Sequence, residues 1–197
     1  LVVKAVGNVE PMATVAVKPR VDGAITAQLV KDGADVAAGA PLFRLDPRPF
    51  ELAIREGQAK LERDKALLTK AEADLARYST LKSKDVVAQE QYDQTFSQSR
   101  TLEGTIRLDQ ASLERARLDL EYATIRAPIA GRVGSVLLTA GNVLKANDDR
   151  VMCVINQLSP IFIAFSVPER YLPAILARLR QGPVPVTAAP EGETGAA

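Results

Sequence analysis

Two stretches of this sequence, 108 positions apart, carry the same pattern, and a glycine-poor block of different chemistry separates them. Val21-Asp-Gly-Ala-Ile25 aligns with Ile129-Ala-Gly-Arg-Val133, so Gly23 meets Gly131 and Ile25 meets Val133. Leu29 then meets Leu137, Gly33 meets Gly141 and Val36 meets Leu144. With one residue inserted, Leu42–Leu45 meets Val151–Val154. The spacings of two or four among Val15, Val17, Val21, Ile25 and Leu29 are those of short, half-buried strands, and Asp32-Gly33 is a tight-turn signal. One copy of ~30 residues cannot bury its own apolar face, so the two copies are expected to pair into one small sandwich. The block between them is then an insertion into a single domain.

Within residues 47–121 Gly is scarce, and Ala, Leu, Glu, Arg, Lys and Gln dominate, which is helix chemistry. Asp46-Pro47 supplies an N-cap followed by Pro at the first helical position. Phe50, Ile54, Gly57, Leu61, Asp64, Leu68, Ala71, Leu75, Tyr78 and Lys82 follow a strict 4-3 spacing. That is a heptad seam whose weak members are Gly57, Asp64 and Lys82. A second seam runs through Tyr92, Thr95, Ser99, Leu102, Ile106, Asp109, Leu113, Ala116, Leu120 and Ala123, and the pattern breaks at Ser83–Gln89. Two similar seams around a short break predict an antiparallel helical hairpin. Each arm of ~33 residues would run ~50 Å at ~1.5 Å per residue. No other segment could cover more than one stripe of such a rod, so it is expected to project from the body.

Composition narrows function by exclusion. Twenty-five basic against 24 acidic residues leave a net charge of +1, so a nucleic-acid partner is not expected. The chain has no His, which removes Ser-His-Asp and Cys-His nucleophile systems and every His-liganded metal site. Cys153 is alone, so no intrachain disulfide or thiolate cage forms, and its apolar surroundings mark it as a small buried hydrophobe. Ser135 lacks the second glycine of a nucleophile elbow, and no phosphate-cradling glycine loop is present. The helical acids, such as Glu62 with Asp64 and Glu72 with Asp74, alternate with bases at i+3 and i+4. Glu56 with Lys60 and Glu114 with Arg117 are expected as ion pairs on a solvated face. No apolar stretch approaches the ~20 residues that span a bilayer. The chain opens at Leu1 without Met or a leader, as a trimmed piece would, so targeting signals are unreadable. The expectation is a non-enzymatic protein with no cofactor and no metal.

Split β half-motifs around a coiled-coil hairpin resemble the periplasmic adaptor subunits, or membrane fusion proteins, of tripartite efflux pumps. The resemblance rests on Val17-Lys-Pro-Arg-Val-Asp-Gly-Ala-Ile25, Leu45-Asp-Pro47, Ala127-Pro-Ile-Ala-Gly-Arg-Val133 and Leu158-Ser-Pro-Ile-Phe162, and runs over nearly the whole chain. It implies an α+β, multidomain and elongated fold: a lipoyl-like (biotinyl-like) β-sandwich interrupted by the hairpin, plus part of a β-barrel. The expected divisions are a first barrel strand or linker at 1–14, the lipoyl-like halves at 15–46 and 122–158, the hairpin at 47–121, and a truncated barrel at 159–197. The hairpin length is similar to that of adaptors serving resistance-nodulation-division (RND) pumps. The implied partners are an inner-membrane RND transporter, an outer-membrane channel and further copies in a hexameric ring. The implied location is the periplasm, attached to the inner membrane by an N-terminal anchor absent from this chain.

The RND-adaptor tip pattern is Arg, then Leu four on, then Ser seven further. Here it reads Arg77, Leu81, Ala88, so the third member departs. Arg77 and Leu81 fall off the seam on one flank, where an exposed Leu beside an Arg suits a partner contact. Asp64-Lys65-Ala66 matches the tripeptide that presents a modified Lys in lipoyl carriers, but it falls inside the first helix rather than at a strand turn. Three other readings stand beside this one: an adaptor of an ABC-type pump, a biotinyl or lipoyl carrier subunit, and a coiled-coil scaffold unconnected to export.

Overall fold

The computed structural model describes residues 2–84, 86–146 and 150–189. In chain order the elements are β1 (Gly7–Pro11), β2 (Thr14–Val17), β3 (Gly23–Gln28), β4 (Asp35–Val36), β5 (Pro41–Leu45), α1 (Arg48–Lys82) and α2 (Gln89–Tyr122). There follow β6 (Thr124–Arg126), β7 (Gly131–Val133), β8 (Val143–Leu144), β9 (Cys153–Asn156), β10 (Ile161–Phe165) and α3 (Leu172–Leu179). The chain divides into two compact units, Ala13–Gln157 and Leu1–Met12 with Leu158–Ala197.

The larger unit is built on the repeat. Its two four-stranded sheets have orders β2-β9-β7-β4 and β6-β5-β3-β8, so each sheet takes strands from both copies. Equivalent residues make equivalent bonds. Gly33 N–H donates to Val133 O at 2.9 Å, and Gly141 N–H donates to Ile25 O at 2.9 Å. Val133 N–H donates to Ala34 O and Ile25 N–H to Asn142 O, at 2.9 and 2.8 Å. Gly33 and Gly141 have φ of +72° and +94°, the left-handed conformation these turns demand of a glycine. Between the sheets lie Ile25, Leu42, Phe43, Leu45, Val133, Leu144, Met152, Cys153 and Ile155, all buried. The structure corrects the alignment of the last strand of each copy. Buried Leu42, Phe43 and Leu45 correspond to buried Met152, Cys153 and Ile155, which is an offset of 110, so two residues are inserted rather than one. Leu29 N–H bonding Leu42 O and Leu137 N–H bonding Met152 O, both at 2.8 Å, fix the same equivalence.

The inserted block is a hairpin of two helices, 35 and 34 residues long. Asp46 Oδ1 accepts from Arg48 N–H at 3.1 Å, and Glu51 N–H donates the first helical bond to Pro47 O at 2.9 Å. The N-cap of α1 is thus Pro47 rather than the expected Asp46, which stands one residue earlier and still accepts from an open N–H of the first turn. Every seam residue of both helices is half-buried or buried, while most other positions are exposed. The weak seam members have reasons. A Cβ on Gly57 would stand 3.3 Å from Leu113 Cδ1, so the glycine makes room for that leucine. Lys82 Nζ lies 4.2 Å from the Tyr92 ring centroid, a cation–π contact. The β core meets the hairpin base through Phe50, Tyr122 and Ala123.

The expected ion pairs of the helical surface are not the ones formed. Lys60 reaches Asp109 of the opposite helix at 2.7 Å instead of Glu56. The pairs three or four residues apart along one helix are Arg77–Asp74, Arg100–Glu103 and Arg115–Asp119, Arg63 also pairs with its neighbour Asp64, and Glu114–Arg117 is not among those of the described residues. A buried carboxylate pulls a flexible ammonium harder than an exposed one does.

In the smaller unit β1 pairs antiparallel with β10, from Gly7 opposite Phe165 to Pro11 opposite Ile161. Ile161, Phe162, Ile163 and Phe165 of β10 are exposed.

Candidate functional site

The sharpest turn of the hairpin is made by residues between Lys82 and Gln89, of which Asp85 lies outside the described residues. Two N–H groups of the turn, from Lys84 and Val86, donate to Leu81 O at 3.2 and 3.0 Å. Ser83 Oγ donates to Thr80 O at 2.7 Å. These bonds end α1 by folding the chain back onto its last turn, which satisfies carbonyls that the helix leaves open.

Arg77, Leu81 and Ala88 lie around this turn. Arg77 is exposed, and its Nη2 stands 3.1 Å from Asp74 Oδ1. Leu81, one helical turn further, is half-buried rather than exposed, because the chain doubles back beside it. Ala88 is exposed and is the N-cap of α2, with φ −65° and ψ 146° and no side-chain acceptor. Gln91 N–H donates to its carbonyl at 3.2 Å. Two apolar residues that the heptad reading did not single out are exposed near the tip: Val86 at 66% and Phe96 at 41%. Phe96 follows the seam residue Thr95, and its ring centroid lies 6.4 Å from that of Tyr92. A large apolar residue one step off a seam is the sequence signal that would have found it.

The other candidates fall elsewhere. Lys65 of the Asp64-Lys65-Ala66 tripeptide is exposed in the middle of α1, far in sequence from any strand turn. Cys153 is fully buried, and burial pushes its thiol up to about 11, away from reactivity. Among the described residues no cluster of three or more acids and thiols could hold a metal ion, and no helix is long and apolar enough to cross a membrane.

At the hairpin base the sandwich leaves β2 and β6 as outer strands of their sheets. A groove of ≈660 Å3 runs along them, lined by Val15, Val17, Lys18, Arg20, Thr124 and Arg126 among others. The Arg20 guanidinium stacks 5.0 Å from the Tyr122 ring centroid.

The model for the barrel-sandwich hybrid domain of RND membrane fusion proteins matches residues 13–156. The chain belongs to the RND membrane fusion protein family. The matched range coincides with the larger unit, so the family domain includes the hairpin as well as the sandwich. Multidrug resistance protein MdtA of Erwinia amylovora is 40% identical over 183 residues, covering 92% of this chain and 45% of that protein. The chain thus spans less than half the length of the curated relatives it matches. A MacA–MexA chimera carrying the Pseudomonas aeruginosa MexA α-hairpin has a similar fold, with a TM-score of 0.55 and 26% identity over 88% of this chain and 59% of that one. The membrane fusion protein Spr0693 of Streptococcus pneumoniae has a TM-score of 0.64 over 85% of this chain and 72% of that one; at 16% identity it shows the fold alone.

Proposed function

We propose that this chain is part of a periplasmic adaptor that bridges an inner-membrane RND efflux transporter to an outer-membrane channel and supports export of drugs or other small molecules. The observation that carries the reading is the hairpin. A rod of two ~34-residue helices, ~50 Å long, is inserted between the halves of one β unit and ends in a tip with exposed apolar and basic side chains. In this reading the tip meets the channel through Arg77, Leu81 and Ala88, with Val86 beside them. Family membership and the MdtA relatives support the transporter side. In this reading residues 1–14 and 159–197, of which Leu1 and residues 190–197 lie outside the described residues, belong to a β-barrel domain, and an N-terminal anchor holds the protein at the inner membrane. The role is mechanical rather than catalytic, and the transporter supplies the energy. The outer strands β2 and β6 support side-by-side packing of the sandwiches into a ring, a hexamer in this reading, because an unpaired sheet edge is a template for contact.

The test uses the full-length protein. Leu81→Asp puts a charge where a partner groove would desolvate it and should abolish efflux. Truncating such an anchor costs roughly 2 kcal/mol or more in binding. Because Leu81 is half-buried, Val86→Asp provides a second arm at an exposed position. Both variants should melt and bind transporter near wild type, unlike Leu68→Asp on the seam. Normal export by both would defeat the tip contact.

A further inference from the structure

One seam layer of the hairpin holds ionisable groups that a coiled coil has no packing use for. Asp64 of α1 and Asp109 of α2 are 3% and 2% exposed, and the two carboxyls lie close enough to interact across the seam. Each has one base that reaches in from solvent. Arg63 Nε and Nη2 donate to Asp64 Oδ1 and Oδ2 at 2.7 and 3.0 Å. Lys60 Nζ lies 2.7 Å from Asp109 Oδ1. Both bases are more than half exposed. Asp109 Oδ2 is buried and has no hydrogen-bond donor. An ionised oxygen left in that position bears its full desolvation cost and faces a second negative charge.

A proton on Oδ2 resolves every polar atom of the layer at once. Asp109 O–H then donates to Asp64, Lys60 donates to the remaining Oδ1, and Arg63 keeps its two-pronged grip on Asp64. We propose that Asp64 and Asp109 form a proton-binding site in the hairpin seam, one proton shared by the pair and carried on Asp109 Oδ2, and that the hairpin is more stable with the site filled. The charged groups facing the pair are Lys60 and Arg63 of α1; α2 contributes Asp109 itself. The Arg63 hydrogen bonds, opposed by burial and aided by the Asp109 hydrogen bond, hold the Asp64 carboxyl below the usual carboxylate range. Asp64 is therefore the acceptor of the pair.

A proton held more tightly folded than unfolded adds stability that is fully present below the unfolded aspartate value, about 3.9. That stability is lost as pH rises through the value at which the folded site empties. Asp109→Asn carries a permanent N–H donor at this position and imitates the filled site at every pH. The experiment compares carboxyl-carbon NMR titrations and thermal melts of the full chain for wild type, Asp109→Asn and Asp64→Asn. In wild type one aspartate carboxyl resonance should titrate above the ordinary aspartate range, and both variants should lose that titration. Asp109→Asn should gain on wild type in Tm by ~2–4 °C between about pH 5 and about pH 8. If every wild-type aspartate titrates at or below its ordinary value, the site holds no shared proton and the proposal falls; this arm decides even if a variant fails to fold. A Tm difference between Asp109→Asn and wild type that is flat with pH would overturn it equally.

Discussion

Ala88 occupies the position of a capping residue, with the backbone of one and none of its chemistry. Its extended conformation aims a side chain at the open N–H groups of α2, but a methyl group accepts nothing. Ala88→Ser should stabilise the protein by about 0.5–2 kcal/mol, with the Gln91 side chain completing the capping box. Amide exchange at residues 89–91 should slow; unchanged or faster exchange would mean that the first turn of α2 has other support. Asp46 presents the opposite case, a charged side chain that does accept from an open N–H at a helix start. The Arg48 side chain, then the Arg48 backbone N–H, hold its carboxyl down to about 2. A folded pKa below the unfolded value of about 3.9 contributes stability that is present above that value and disappears as pH falls toward 2. Melting curves of Asp46→Asn should accordingly lose less stability than wild type between about pH 4 and about pH 2. An equal acid limb in both proteins would show that the Asp46 charge does not matter. Both helix starts could be read from the sequence to within a residue, because capping depends on residues a few positions apart. The half-burial of Leu81 could not, since it depends on the path of the turn. Nor could the meeting of Asp64 with Asp109, because heptad spacing along each helix does not set the register between helices.

The strands and helices show which kinds of pattern carry information. The 4-3 spacing named every buried seam position, because a ~100°-wide stripe leaves little freedom. The repeat fixed the equivalence of β3 with β7 and of β4 with β8, where glycines anchor the alignment. It slipped by one residue at β5 and β9. Val151-Met-Cys-Val154 is apolar throughout, so hydrophobic pattern alone cannot tell which of its residues face the core. The insertion itself is testable. The ends of the hairpin enter and leave the sandwich side by side, as packed antiparallel helices do at ~8–10 Å, and closure entropy grows slowly with loop length. Replacing Arg48–Glu121 by a short Gly-Ser linker should leave a β-protein that unfolds cooperatively, at a lower Tm because Phe50 is lost from the core edge. Absence of a cooperative transition would mean that the hairpin is part of the folding unit rather than an addition to it.

At the level of the molecule, the sequence supplied the class through order: half-sandwich, hairpin, half-sandwich, then a second β unit. Family membership rests on residues 13–156, which include both halves and the rod between them. What the rod touches depends on surfaces of other proteins, and no spacing within one chain encodes those. In the proposed role the tip has one task, contact with an outer-membrane channel, and the middle of α1 has none. A photo-crosslinking residue at position 86 of the full-length protein, where Val86 is 66% exposed, reads this directly in cells. The same residue at Lys65, exposed in the middle of α1, is the control. The prediction is a crosslink from position 86 to an outer-membrane channel protein and none to it from position 65. A crosslink from position 86 to the inner-membrane transporter alone, or a channel crosslink from position 65 but not 86, would contradict it.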